Sequence, residues 1–410
     1  MPAKVRFFYG YIIVIISFFI MMAIIGMHSS FGVFFKPMIA ELGWSRAITS
    51  GAFSLSMIMT GLLGIVIGGL NDRFGPRVVL TICGFLAGLG YLLTSQVHTA
   101  WQLYLFYGTI IGFGSGVFVP LLSTVARWFV RRRSMMSGIV AAGMGVGMLF
   151  LPLMINRLIF AYGWRVSCLI FGIIIMVFVV LTAQFLRRDP EQVGQAAYGE
   201  SNTVEESPDA GAREFSLKEA LFTRQFWVLF AMLICFGFCF FSLLVHIAPY
   251  ITDLGISAKS AAKVLATVGG ASIIGQIALG SIGDKIGNRQ AFLIGTVLIA
   301  IAVFGLMLMG ELWTFYLFAV ILGLAYGNMS TQESPLIAWL FGLTSHGLIF
   351  GFFAFSFTIG ASIGPVLFGY IFDVTGNYRF AFLLCAAISI FNIILTMFLK
   401  PISTEPPPKS

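Results

Sequence analysis

Charge is what this sequence has least of. Only 10% of its 410 residues are Asp, Glu, Lys or Arg, against 59% that are hydrophobic. A water-soluble domain carries about 25% charged residues. These few cannot cover a surface that faces water, so the solvent for most of the chain is the lipid bilayer. Cysteine is scarce too: Cys83, Cys168, Cys235, Cys239 and Cys385 all fall inside apolar runs. That placement argues against a disulfide framework, and no spacing suits a metal. No nucleophile–base pair stands out, so an enzyme is not expected and no cofactor is implied. The run Gly143-Met144-Gly145-Val146-Gly147 looks superficially like a nucleotide loop, but it lies mid-run with no strand before it. With no ATP-binding segment, any pumping must draw on an ion or substrate gradient. The net charge of +8 would suit nucleic acid, yet the cations cluster at the ends of apolar runs, where they report orientation instead. The first apolar run is too long for a cleavable signal and has no small-residue cleavage site.

What is present is apolar length. Twelve runs long enough to span a bilayer lie near 9–36, 47–69, 78–96, 102–125, 135–158, 166–186, 226–251, 261–282, 291–310, 313–338, 348–371 and 379–399. They define an all-α membrane protein of two six-helix bundles, 1–186 and 225–400. Between them 187–224 reads as a solvated, acid-rich cytoplasmic linker, and 401–410 as a disordered Pro-rich tail. Placing the N-terminus in the cytoplasm puts 17 of the 24 Lys and Arg on that side. An even number of spans then returns the C-terminus there. The expected location is the cell (inner) membrane, multi-pass, with both termini cytoplasmic.

The chain is organised around a stretch that occurs twice. Gly68-Gly69-Leu70-Asn71-Asp72-Arg73-Phe74-Gly75-Pro76-Arg77 returns as Gly280-Ser281-Ile282-Gly283-Asp284-Lys285-Ile286-Gly287-Asn288-Arg289, 212 positions later. Each copy joins one apolar run to the next. Pro37, Glu41, Leu42, Gly43 and Ser45 match Pro249, Asp253, Leu254, Gly255 and Ser257 at the same offset. Gly112, Gly116 and Trp128 match Gly323, Gly327 and Trp339 at 211, and Gly138 and Pro152 match Gly351 and Pro365 at 213. Arg165 and Arg379 are 214 apart. A near-constant offset over several regions indicates duplication of a six-helix unit. Six is even, so both copies keep one topology and are related by an axis along the membrane normal. A cleft between such halves is where cargo would sit, and rocking them would expose it to each side in turn.

The decapeptide resembles the loop between the second and third helices of the major facilitator superfamily, repeated between the eighth and ninth. Within it, Ser30-Phe31-Gly32-Val33-Phe34-Phe35-Lys36-Pro37 followed by Gly43-Trp44-Ser45-Arg46 resembles the monocarboxylate porter family. So does Arg127-Trp128-Phe129-Val130-Arg131-Arg132-Arg133-Ser134-Met135-Met136-Ser137-Gly138. The stretch from Val245 to Ser257 is similar to the family's prokaryotic members, which grade into the oxalate/formate antiporter group. This resemblance implies transport of a small organic anion, often lactate- or pyruvate-like, with a proton, by a chain working as a monomer. In the eighth helix the family commonly places an arginine after a glycine. Here the pair is Gly275-Gln276.

Ionisable groups inside spans are costly and default to functional readings. His28 and Lys36, eight positions apart, share a helix face and offer an anion funnel with a titratable imidazole. The structural alternative is a hydrogen-bonded histidine and a lysine reaching for headgroups. His246 is either a coupling residue or a packing one. Glu333, the one acid well inside a span, either carries the coupled proton or forms an inner-gate ion pair with Arg127. Ser115, Ser272, Gln276, Tyr326, Asn328 and Thr358 are candidate polar contacts to cargo, unless they bond their own helices. Asp72 with Arg73, and Asp284 with Arg289, read as conformational ties between helices. The glycine series at 108–116 and 143–147 reads as close helix packing. The function expected is a secondary active transporter of a small monocarboxylate. The alternatives are an organic-anion exchanger of the oxalate/formate type, a porter of another metabolite, or a sensor or channel on a transporter-like fold.

Overall fold

A computed structural model describes residues 8–44, 46–199, 214–307 and 310–400. The linker residues 200–213 and the tail 401–410 lie outside the described residues. Eleven helices are long and apolar enough to cross a membrane. One of them, Arg133–Ala183, is 51 residues long and is broken at Gly163, whose φ of 80° and ψ of 166° no helix contains. Counting its two halves separately, the described residues hold twelve membrane-crossing helices, as the apolar runs indicate.

The chain divides into two compact units, Met1–Ala210 and Gly211–Ser410. In the first, the spans are Gly10–Phe35 (interrupted at Ser30, its helix running on past the span to Leu42), Arg46–Phe74, Pro76–Thr94, Ala100–Trp128, and residues 133–162 and 164–183. In the second they are Arg224–Asp253, Ala258–Ile286, Asn288–Leu306, Leu312–Phe341, His346–Thr375 and Arg379–Phe398. We number these one to twelve. Two are locally wound as π-helix: the fourth over Tyr104–Ile111 and the eighth over Gly275–Leu279.

Each unit pairs its helices in the same way: first with fifth, second with fourth, third with sixth, and their counterparts in the second unit. Glycine makes this possible. Lipid is as apolar as leucine, so helices associate by close contact, not by escape from water. Gly147 lies against the Met22 carbonyl and Gly26, and a Cβ on it would meet the Gly26 Cα at 2.9 Å. On the eleventh span Gly360 lies against the Ile234 carbonyl and would meet Phe238 N at 2.8 Å.

The expected solvated linker is held down at each described end. Trp128 Nε1 donates to the Arg187 carbonyl at 3.0 Å, and Tyr198 N donates to the Trp128 carbonyl at 2.9 Å. In the second unit Phe215 N donates to the Phe341 carbonyl at 3.0 Å, and Glu214 Oε2 accepts from Leu343 N and Thr344 N. The reason is the membrane edge itself. Helix ends and an indole N–H there need acceptors and donors, and the adjoining chain supplies them.

At the opposite end of the first unit, Glu41 accepts from Arg165 Nε at 2.7 Å and from Trp164 Nε1 at 2.6 Å. Arg165 also donates to the Ser95 and Val97 carbonyls, both at 2.7 Å. The Arg165 hydrogen bond is the chief cause holding the Glu41 carboxyl below its ordinary 4.5. A depressed acid contributes stability above that value and loses it as pH falls through its folded pKa. Melting temperature should therefore drop more steeply for the natural protein than for Glu41→Gln between about pH 5 and pH 3. Parallel slopes in detergent-solubilised protein would remove Glu41 from the account.

Candidate substrate and proton-coupling residues

His28 sits two residues before the first span breaks at Ser30, whose Oγ turns back to the Gly26 carbonyl at 2.6 Å. The ring is buried and stacks on Phe53 at 5.3 Å and on Tyr107 at 6.0 Å. Its Nε2 lies 2.7 Å from Ser56 Oγ, and the Tyr107 hydroxyl donates to the His28 carbonyl. The fourth span thus presents Tyr107 to the histidine, and the second presents Phe53 and Ser56. None of the three was legible in the sequence, where all are ordinary span residues. Lys36 falls in the helix that follows, and its side chain lies outside the described residues. Ser115, between two short helical stretches of the fourth span, is buried with an unpartnered Oγ.

Arg127 is committed inside its own unit. Its Nη2 meets Asp72 Oδ1 at 3.1 Å and its Nη1 meets Asp189 at 3.6 Å. The sequence offered Glu333 as its partner; the fourth span instead ties to the second, through Asp72. Arg73 turns to the Phe74 ring, 5.2 Å away. Arg289 does not seek Asp284. It donates to the Thr396 and Met397 carbonyls at the end of the twelfth span. Its repeat counterpart Arg77 donates to Gln184 Oε1 at 2.8 Å at the end of the sixth span. Arg77 and Arg289 are 212 apart, and so are Gln184 and Thr396. This duplicated tie escaped the sequence reading, although the offset was the signal that could have found it.

In the second unit His246 Nε2 lies 2.9 Å from the Pro365 carbonyl and Nδ1 lies 3.1 Å from the Tyr378 hydroxyl. A carbonyl only accepts, so Nε2 carries the proton, and the imidazole clips the seventh span to the eleventh. Ser272 Oγ donates to the Gly269 carbonyl, Thr358 Oγ1 to that of Ala354, and Asn328 Nδ2 to that of Ala291. These side chains are engaged by backbone. Tyr326 stacks on Phe240 at 4.0 Å.

Three polar side chains stand apart. Glu333 is 5% exposed in the tenth span and has no hydrogen-bond or ion-pair partner among the described residues. It belongs to Ser330-Thr331-Gln332-Glu333-Ser334, five consecutive buried polar residues ahead of Pro335. Gln276 and Gln332 are fully enclosed, and neither amide atom of either side chain has a partner. Gln332 packs over Gly283 of the decapeptide. Among the described residues no cluster of His, Cys, Asp or Glu is arranged to hold a metal.

Twelve spans in two repeated six-helix units, with isolated ionisable groups inside them, define a membrane transporter. The major facilitator superfamily description matches residues 11–329 and 248–410, and the chain belongs to that superfamily. Several of the proteins it is similar to carry the name monocarboxylate transporter. The chain is 28% identical over 386 residues to Monocarboxylate transporter 13 of Bos taurus, covering 92% of this chain and 86% of that one. It is 27% identical to Monocarboxylate transporter 11 of Homo sapiens, covering 93% and 80%. It is 27% identical over 322 residues to the uncharacterised transporter YhjX of Escherichia coli K12, covering 77% of each. Among solved structures, the proton:xylose symporter XylE aligns over 96% of both chains with a TM-score of 0.77 at 14% identity, a likeness of fold alone.

The Asp72–Arg127 pair is nearly enclosed, with side chains 11% and 9% exposed. Removing one charge from such a pair is costly. Asp72→Asn should lower turnover by roughly tenfold, the equivalent of about 1.4 kcal/mol, and affect substrate affinity less. Unchanged turnover in reconstituted vesicles would refute the role given to Asp72.

Proposed function

We propose that this protein is a secondary active transporter that moves a small monocarboxylate, of the lactate or pyruvate kind, together with a proton by alternating access. It works in the inner membrane as a monomer with both termini in the cytoplasm. The observation that carries this reading is Glu333: a buried carboxyl in a membrane-spanning helix, with no cation of its own unit paired to it among the described residues. An ionised carboxylate there would be uncompensated at a cost of several kcal/mol. A group in that position holds a proton while enclosed and releases it when water reaches it. Monocarboxylate cargo is supported by relatives that carry that name over nine-tenths of this chain.

The cargo-facing groups in this reading are His28, Lys36 and Ser115 in the first unit, and Ser272, Gln276, Tyr326, Asn328 and Thr358 in the second. Arg127 and His246 position the helices beside them. Asp72, Arg73, Asp284 and Arg289 set the balance between states.

The test is uptake of labelled lactate, pyruvate, acetate, oxalate and formate into proteoliposomes, with and without an imposed pH gradient. Lactate or pyruvate uptake should rise with an acidic exterior. Glu333→Gln should flatten that pH profile and cut gradient-driven uptake by roughly tenfold, the worth of about 1.4 kcal/mol. Uptake of none of the acids would end the monocarboxylate reading. Uptake that needs an internal counter-substrate would make the protein an organic-anion exchanger.

A further inference from the structure

Gln276 is the side chain on which the choice of cargo turns. It lies in the π-helical turn Gly275–Leu279, is fully enclosed, and leaves both Oε1 and Nε2 without a partner. π-helical turns within longer helices are frequent at functional positions. Leaving either end of an enclosed amide unpaired is unfavourable, so the side chain is poised to take a ligand. Neighbouring groups do not relieve it. The Ser272 hydroxyl and the Asn328 amide nitrogen already donate to backbone carbonyls. Gln332 is unpaired as well, but it lies over Gly283 in the loop decapeptide, seven positions beyond Gln276.

Charge does not complete the site from this unit. The described cations within its spans, Arg224, Lys263, Lys285, Arg289 and Arg379, all stand within two turns of a span end. What the eighth span offers is one donor and one acceptor on a single rigid amide. An arginine in this place would present donors only and accept any carboxylate.

We propose that Gln276 makes this transporter selective for 2-hydroxy monocarboxylates, its Nε2 donating to a carboxylate oxygen and its Oε1 accepting from the neighbouring hydroxyl. The proposal rests on the monocarboxylate reading above. A 2-oxo acid or an unsubstituted acid brings acceptors alone, so Oε1 stays unpaired when either is bound. A site built to hydrogen-bond a hydroxyl rejects the analogue that lacks one far more strongly than an apolar pocket rejects a misfit.

The test is equilibrium binding of labelled lactate to the purified full-length protein at fixed pH, with unlabelled lactate, pyruvate and propionate as competitors. Pyruvate and propionate should each compete at least about tenfold more weakly than lactate. Gln276→Leu should bring the three to within about twofold of one another, since the group that discriminates is gone. Gln276→Arg should bind all three acids comparably. Affinity ratios are read because damage to the fold scales the three ligands together. Pyruvate binding as well as lactate to the natural protein would overturn the proposal. So would a preference for lactate that survives in Gln276→Leu. If Gln276→Leu binds nothing, Gln276→Arg decides: comparable binding of the three acids upholds the assignment, and a retained preference for lactate defeats it. Binding of none of the acids to the natural protein is a separate result, which removes the monocarboxylate reading and this proposal with it.

Discussion

Inside hydrocarbon a polar group has no water to fall back on, and the rest of this structure follows from that constraint. Several charged or polar side chains placed within spans are met by backbone or by another side chain. Arg133 is buried and donates to the Ala126 and Phe129 carbonyls. Arg289 finishes the carbonyls of the twelfth span, His246 joins two helices by both ring nitrogens, and His346 reaches the Ser334 carbonyl just ahead of Pro335. Glu333 and the amides of Gln276 and Gln332 have no partner among the described residues, and enclosed polar groups left so concentrate at sites that bind or move something.

The two units share a plan and differ in their chemistry. Both tie the start of the third or ninth span to the end of the sixth or twelfth through the last arginine of the decapeptide. The first has an ion pair between its second and fourth spans, Asp72 with Arg127. The repeat puts Ala338 where the second unit would need the arginine. Where the first unit has Asn71 and Leu121, the second has Gly283 and Gln332, so the enclosed amide has moved to the other helix of the pair. Duplication preserved the backbone contacts that glycine permits and left each copy free to change its polar groups.

Much of this was legible in the chain. Apolar length gave twelve spans, and a constant offset gave the duplication. The glycine series at 143–147 gave close packing that the carbonyls of Phe18 and Met22 bear out. The partners of individual side chains were not legible. An ion pair with Arg127 was one of two alternatives open for Glu333, and Arg127 meets Asp72. His28 was paired with Lys36 along one helix, and the groups that touch it come from the second and fourth spans. Ser272, Thr358 and Asn328 look alike in sequence to the free amide of Gln276, yet backbone has claimed them.

What the sequence determined alone is the medium and the count: a chain this poor in charge must lie in lipid, and uninterrupted apolar runs of this length cross lipid as helices. Tertiary structure decided which polar groups are spent on holding helices together and which are left over for cargo and proton. The reason is distance in the chain. Hydropathy and repeat offset are properties of neighbouring or regularly spaced residues, whereas a hydrogen bond between Arg127 and Asp72 or Arg77 and Gln184 exists only once separate helices have packed.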